Sequence, residues 1–151
     1  MPKIIISDTS CLILLTKINE LEILQKIYSK ITITPEIFTE FGESLPSWIE
    51  IIPVKDAEKI SLLELQIDKG ESSAIALALE YPGSLLIMDD YKARLIAAQL
   101  HIKYTGTFGV ILKAKKIGKI ENIKPIISKL KETDFYISDE LEKEILRLAE
   151  E

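Results

Sequence analysis

Apolar positions along the chain follow two rhythms. Short runs with apolar residues on both sides recur at "KIIIS" (3–7), "KITIT" (30–34), "SLLIM" (84–88) and "HIKYT" (101–105), while "WIEIIPV" (48–54) alternates. The fully apolar runs at 3–7 and 84–88 predict strands buried on both faces, those at 30–34 and 101–105 predict further short strands, and the alternating one predicts a strand at an edge, where Pro53 is tolerated. Between them the period changes to three and four, which predicts helices. These are expected at 9–18, directly after the first strand; at 19–28, with Asn19 as N-cap; and from Pro35 through "PEIFTEFGE". Further helices are expected over 58–67 and over 70–81, the latter with Ala74, Ile75, Ala78 and Leu79 on one stripe. The pattern continues with 89–100, with "TFGVILKAKKIG" ended by Gly118, with "IKPIISKLKE" opened near Pro125, and with "SDELEKEILRLAEE". Strands alternating with helices predict a three-layer α/β/α domain around a parallel sheet of about five strands.

No repeat, linker or low-complexity tract divides the 151 residues, so one domain is expected. Its core spans about 3–131, and a helix near 138–150 packs on that core or on a dimer surface. Hydrophobic residues make up 47% and charged residues 28%, which excludes a disordered chain. No apolar stretch is long enough for a membrane span, no leader pattern opens the chain, and lone Cys11 has no disulfide partner. A cytoplasmic protein without a membrane partner is the expectation. Net charge is −5, yet residues 103–131 carry eight lysines against one acid, Glu121. Such a segment is either a solvated helix face or a contact for phosphates.

The acids change the picture. Ligands of open parallel sheets bind beyond the carboxyl ends of the strands. Asp8 follows the first strand there, and Asp89 and Asp90 follow the run at 84–88. Glu40 lies in the helix opened by Pro35, and Glu71 begins the apolar helix after Gly70. Gathered carboxylates repel one another and persist only if a cation or protons neutralise them. A site without a cysteine pair and with one histidine does not suit zinc, whereas an all-oxygen set suits Mg²⁺ or Mn²⁺. Phosphodiester hydrolysis is chemistry such a site performs. Each acid also has a plainer reading: Asp8 and one of Asp89 and Asp90 as helix caps, Glu71 as a first-turn charge, Glu40 as a surface residue. Thr9 and Ser10 are placed to orient Asp8 or to touch substrate. His101, expected to open the fifth strand, and Cys11 read as structural.

The segments "IISDTS", "TPEIFTE", "DKGESSAIALA", "LLIMDDYKAR" and "GTFGVILKAK", in this order, resemble the PIN-domain family of ribonucleases. The nearest branch is the prokaryotic PIN-like set related to VapC-type toxins, and the resemblance covers about residues 3–131. It implies a metal-dependent endoribonuclease that uses Mg²⁺ or Mn²⁺ to cut single-stranded RNA. It also implies a homodimer, and a small antitoxin partner if the protein is the toxin of a toxin–antitoxin pair. The family's acids fall on Asp8, Glu40, Glu71 and the Asp89/Asp90 pair. Asp8, Glu71 and one or both of Asp89 and Asp90 are thereby the metal ligands, with Glu40 and Glu71 completing the shell and one of them aiding deprotonation. The family's threonine two positions before the last acid favours Asp90, but Met88 stands in its place. Thr9, Ser10 and Thr107 are implied near substrate, and Lys92, Arg94, Lys113, Lys115 and Lys116 are candidates for phosphate contacts.

Two other classes compete. A PIN-like module that binds nucleic acid with weak or no cleavage is the alternative. A phosphoryl-transfer receiver or aspartyl phosphatase is disfavoured, because the former wants paired acids after the first strand and the latter wants an aspartate where Ser10 stands.

Overall fold

A computed structural model describes residues 4–151, so the expected first residue of strand one, Lys3, lies outside the described residues. Strand β1 (Ile5–Ser7) is followed by α1 (Thr9–Lys17) and α2 (Glu22–Tyr28). Then come β2 (Ile31–Ile33), α3 (Pro35–Phe41), β3 (Ile49–Ile51), α4 (Ala57–Leu63) and α5 (Lys69–Glu80). The chain continues through β4 (Leu85–Ile87), α6 (Tyr91–Gln99) and β5 (Lys103–Thr105), and closes with α7 (Thr107–Lys116), α8 (Lys124–Lys131) and α9 (Asp139–Leu148). All five strands pair in parallel, in the order β3-β2-β1-β4-β5. This is the three-layer α/β/α arrangement that the pattern predicts, with β3 at an edge.

The order matters for function. From β1 the chain builds outward through β2 to β3, then returns to place β4 on the other side of β1. The winding direction therefore reverses between β1 and β4, and such reversals open a crevice at the carboxyl ends of the strands. Every residue of β1 and β2 is buried, so the two central strands carry isoleucines on both faces and leave no polar side chain there except Ser7 and Thr32.

α5 departs from expectation. It is not a one-sided helix: Gly70 and Ser72 through Ala78 are all buried. The helix packs against α3, α4, α6, β1 and β4, so small residues on every side let five elements close around it. Its two buried serines stand next to this packing, and Ser73 meets Thr34 at an Oγ–Oγ distance of 2.6 Å while donating to the Gly70 carbonyl. Thr34 also caps α3, with its Oγ1 accepting from the Ile37 N–H. One polar chain thus fixes the start of α3 against the start of α5.

Three local expectations are corrected. Asn19 does not cap α2; it adopts a left-handed conformation at φ +57° and donates its N–H to the Thr16 carbonyl, ending α1 instead. His101 does not open β5; at φ +59° it closes the turn after α6, with its N–H on the Ala98 carbonyl. Asparagine and histidine are among the side chains that tolerate this region, and a helix end needs such a residue more than a strand start does. The helix expected over 58–67 stops at Leu63, and residues after it form a turn that leads to Asp68. Gly118, at φ +77°, follows α7 as expected, and Ser138 caps α9 by accepting from the Leu141 N–H.

Candidate acidic cleft

Asp8 stands one residue past β1 and is 2% exposed. Both of its carboxylate oxygens are engaged: Oδ1 accepts from the Cys11 N–H at 2.9 Å, capping α1, and Oδ2 accepts from the Asp89 N–H at 3.2 Å. The second bond joins the ends of β1 and β4 across the reversal point. Asp8 therefore caps α1 and stands at the end of β1 at once.

Asp89 is held from the other side by the start of α7. Thr107 donates its N–H to Oδ1 at 2.8 Å and its hydroxyl to Oδ2 at 2.6 Å. Thr107 is fully buried, so its hydroxyl positions Asp89 and does not face the cleft. Gly106 makes this approach possible, because a Cβ there would lie 2.7 Å from Asp89 Oδ1. Asp90 caps α6, with Oδ2 accepting from the Ala93 N–H at 2.9 Å, and is more exposed than its neighbour. The two adjacent acids are thus divided: Asp89 turns toward Asp8 and Thr107, and Asp90 toward its own helix.

Asp89, Asp90, Glu71 and Ser10 line one cleft of about 550 Å³. Asp68 lines it too. As the N-cap of α5 it accepts from the Glu71 N–H at 2.9 Å, which sets two carboxylates side by side at one helix start. Sequence reasoning missed Asp68, although the segment "DKGESS" places it three residues before Glu71, the spacing of an N-cap. Lys17, Ile13, Thr133, Asp134 and Phe135 on the same cleft were not foreseen either. Glu40 stands at the edge of this group. Its Oε1 accepts from the Thr9 hydroxyl at 3.1 Å, and its carboxylate occupies the space a Cβ on Gly70 would fill. Thr9 therefore serves Glu40 and not Asp8.

Of the basic candidates Arg94 alone comes near these acids: its guanidinium and Asp89 Oδ1 both border the space a Cβ on Gly106 would fill. Lys92 is exposed on α6, and Arg94 lies over the Tyr104 ring, 4.9 Å from its centroid. Lys113, Lys115 and Lys116 line a separate groove of about 880 Å³ beside Leu148 and Glu150, where Lys115 pairs with Glu151 at 2.8 Å. Lys113 sits over the Tyr28 ring. The larger groove has no cluster of acids, so the smaller cleft is the candidate site.

Crowding shows in the ionisation of the acids. Burial pushes Asp8 up to about 7; the Cys11 amide opposes this and the charge of Asp89 adds to it. Glu71 is likewise pushed up to about 7, first by burial and then by the charges of Asp68 and Asp90. Glu40 is raised by burial, opposed by its bond from Thr9, and Cys11 is raised well above the usual thiol range by burial and by Asp8. Among the described residues no lysine or arginine stands within ion-pair distance of Asp8, Asp68, Glu71, Asp89 or Asp90. The donor set is all carboxylate and free of ion pairs, which fits a hard divalent cation such as Mg²⁺ or Mn²⁺. As the side chains stand, no three acids, histidines or cysteines among the described residues are close enough to hold an ion together. Among the described residues no helix is long and apolar enough to cross a membrane.

A family model described as a PIN domain matches residues 4–151. No curated protein and no solved structure matches the chain. The match takes in all five strands, the acidic cleft and the C-terminal helix, and the chain belongs to the PIN-domain family, whose members are generally nucleases acting with divalent metals on nucleic acids.

Proposed function

We propose that this protein is a metal-dependent endoribonuclease that hydrolyses phosphodiester bonds of single-stranded RNA. One observation carries the reading. Acids that follow β1 and β4 and open α5 gather about the reversal point of the sheet, and none of them is in an ion pair among the described residues. Burial and neighbouring carboxylates disfavour the charged forms of Asp8 and Glu71, and a bound cation would relieve them.

Asp8 and Asp89, with Asp90, Glu71 and Asp68 around them, are the residues that would hold Mg²⁺ or Mn²⁺. When bound, such a cation polarises a phosphate oxygen and lowers the pKa of a coordinated water. The chain supplies orientation. The Cys11 and Asp89 amides fix Asp8, the Thr107 amide and hydroxyl fix Asp89, and Thr9 steers Glu40. Ser10, exposed at the rim, is free to contact the phosphate.

The test is cleavage of labelled single-stranded RNAs in Mg²⁺ or Mn²⁺, for the wild type and for Asp8→Asn. Metal-dependent cleavage that disappears in a folded Asp8→Asn protein is the expected result, and equal cleavage by both overturns it. Binding without cleavage in either metal would favour the nucleic-acid-binding module instead. The reading extends to a homodimer and to a toxin role with a small antitoxin. Light scattering on the pure protein tests the first, and growth arrest on expression, relieved by the product of a neighbouring small gene, tests the second.

A further inference from the structure

The cleft does not end with its acids. Ser10, Ile13, Leu14 and Lys17 form one stripe along α1, spaced three, four and seven residues from Ser10, and all four line it. Lys17 stands roughly 10 Å along the helix from Ser10, by the rise of 1.5 Å per residue. The chain between α8 and α9 reaches the same cleft through Thr133, Asp134 and Phe135. This turn is firmly built. Thr133 Oγ1 donates to the Leu130 carbonyl at 2.6 Å and accepts from the Phe135 N–H at 3.1 Å. The Phe135 ring then meets Phe108 of α7 edge-on, with centroids 5.6 Å apart at 60°. Ile13 is 37% exposed, and Lys17 pairs with no acid among the described residues.

A fixed aromatic ring, an exposed aliphatic side chain and an unpaired cation, continuous with a cluster of acids, match one kind of occupant. Bases of single-stranded nucleic acid stack on aromatic faces, and the backbone follows cations. Paired bases keep their faces inside the helix and cannot use such a wall.

We propose that this limb of the cleft is a nucleotide subsite. Phe135 and Ile13 hold a base of single-stranded RNA, and Lys17 takes the phosphate adjoining the one at the acids. The proposal rests on the ribonuclease reading above, and it assigns the turn after α8 to substrate selection.

Binding of a short fluorescent single-stranded RNA to the full chain carrying Asp8→Asn, which removes cleavage, gives the direct test. Adding Phe135→Ala weakens binding by about tenfold, the low end of a stacking contact, and Phe135→Trp restores it. Adding Lys17→Gln weakens binding and lowers the dependence of log affinity on log salt by about 0.7. In the cleaving protein the same changes raise KM and leave kcat nearly unchanged. Unchanged affinity in both variants overturns the proposal, as does a loss with Phe135→Ala that Phe135→Trp does not recover. The two readings fail separately. Cleavage with KM unmoved by either variant sinks the subsite alone, whereas subsite-dependent binding with no cleavage in any metal sinks the nuclease.

Discussion

Two regions of this molecule treat charge in different ways. Along α7, α8 and α9 the lysine-rich segment meets the acidic C-terminal one. Lys115 pairs with Glu151, Lys131 with Glu142, and Lys129 with Glu20 of the α1–α2 turn. Glu151 also accepts from the Ile123 N–H at 2.7 Å, closing the end of the chain onto the start of α8. Around the ends of β1 and β4 and the start of α5, by contrast, five carboxylates gather and none is in an ion pair among the described residues. Paired charges at a surface add little to stability and do no chemistry. Unpaired buried ones cost stability, and a fold retains them where a ligand supplies the missing charge. The contrast locates function better than the number of lysines does.

Asp8→Asn gives the largest expected effect. Metal-dependent RNA cleavage falls by at least about 10³-fold, comparable to losing a main electrostatic contact to the reacting group. The melting temperature of the metal-free protein changes little: a buried charge is removed and the amide oxygen still accepts from Cys11, but the amide nitrogen then faces the Asp89 N–H, which loses its acceptor.

Gly106→Ala comes next. Its Cβ presses on Asp89 Oδ1, displacing the carboxylate from Thr107, and a 1 Å misplacement of such a group costs on the order of 10²-fold in rate. Steady-state cleavage checks this, with circular dichroism confirming the fold. A wild-type rate would mean that Asp89 is not poised by Thr107.

The pH dependence of stability sharpens the contrast. Asp8 and Glu71 have folded values near 7, above their ordinary 3.8 and 4.5, so the native state binds more protons than the unfolded state between these limits. Stability from these groups is therefore greatest below about pH 4 and falls as pH rises toward about 7. For Asp8 the loss is on the order of a few kcal/mol, at 1.36 kcal/mol per unit. Denaturant titrations of the metal-free protein at pH 5 and pH 8 measure it. Mg²⁺ or Mn²⁺ at pH 8 should recover most of the difference in the wild type and much less in Asp8→Asn.

The smallest effect belongs to the paired groove. Glu151→Ala lowers the melting temperature by a few degrees, as expected for a loss of about 1 kcal/mol in a domain of this size, and leaves RNA cleavage unchanged. A large loss of cleavage instead would mean that the two grooves are coupled.

Much of the fold was legible because burial on both faces leaves an unmistakable mark. The runs around Ile5, Ile31 and Leu86 each appear as strands, and Pro35 and Ser138 open helices where their local chemistry predicts. Local signals failed where one residue type serves two ends of a helix. Asn19 looks like a cap for the following helix and in fact terminates the preceding one. Asp68 failed in the other direction. Its hydrogen bond to the Glu71 amide explains it completely at short range, so nothing in the sequence asks for a second role. Thr107 was placed near the site, but its partner Asp89 lies eighteen residues away and no local spacing reveals the pair.

The sequence by itself determined the alternating elements, the strand-end position of Asp8 and of the Asp89–Asp90 pair, and the family to which they belong. These depend on period and order along the chain. The tertiary structure alone decided that β4 returns to the side of β1, joining Asp8 to Asp89, and that α5 lies deep enough to bring Asp68 and Glu71 to the same cleft. It also decided that Lys115, Lys129 and Lys131 pair with Glu151, Glu20 and Glu142, and that Phe135 lines the cleft. Strand order and helix docking follow from which buried faces fit together, and that is a property of contacts distant in sequence.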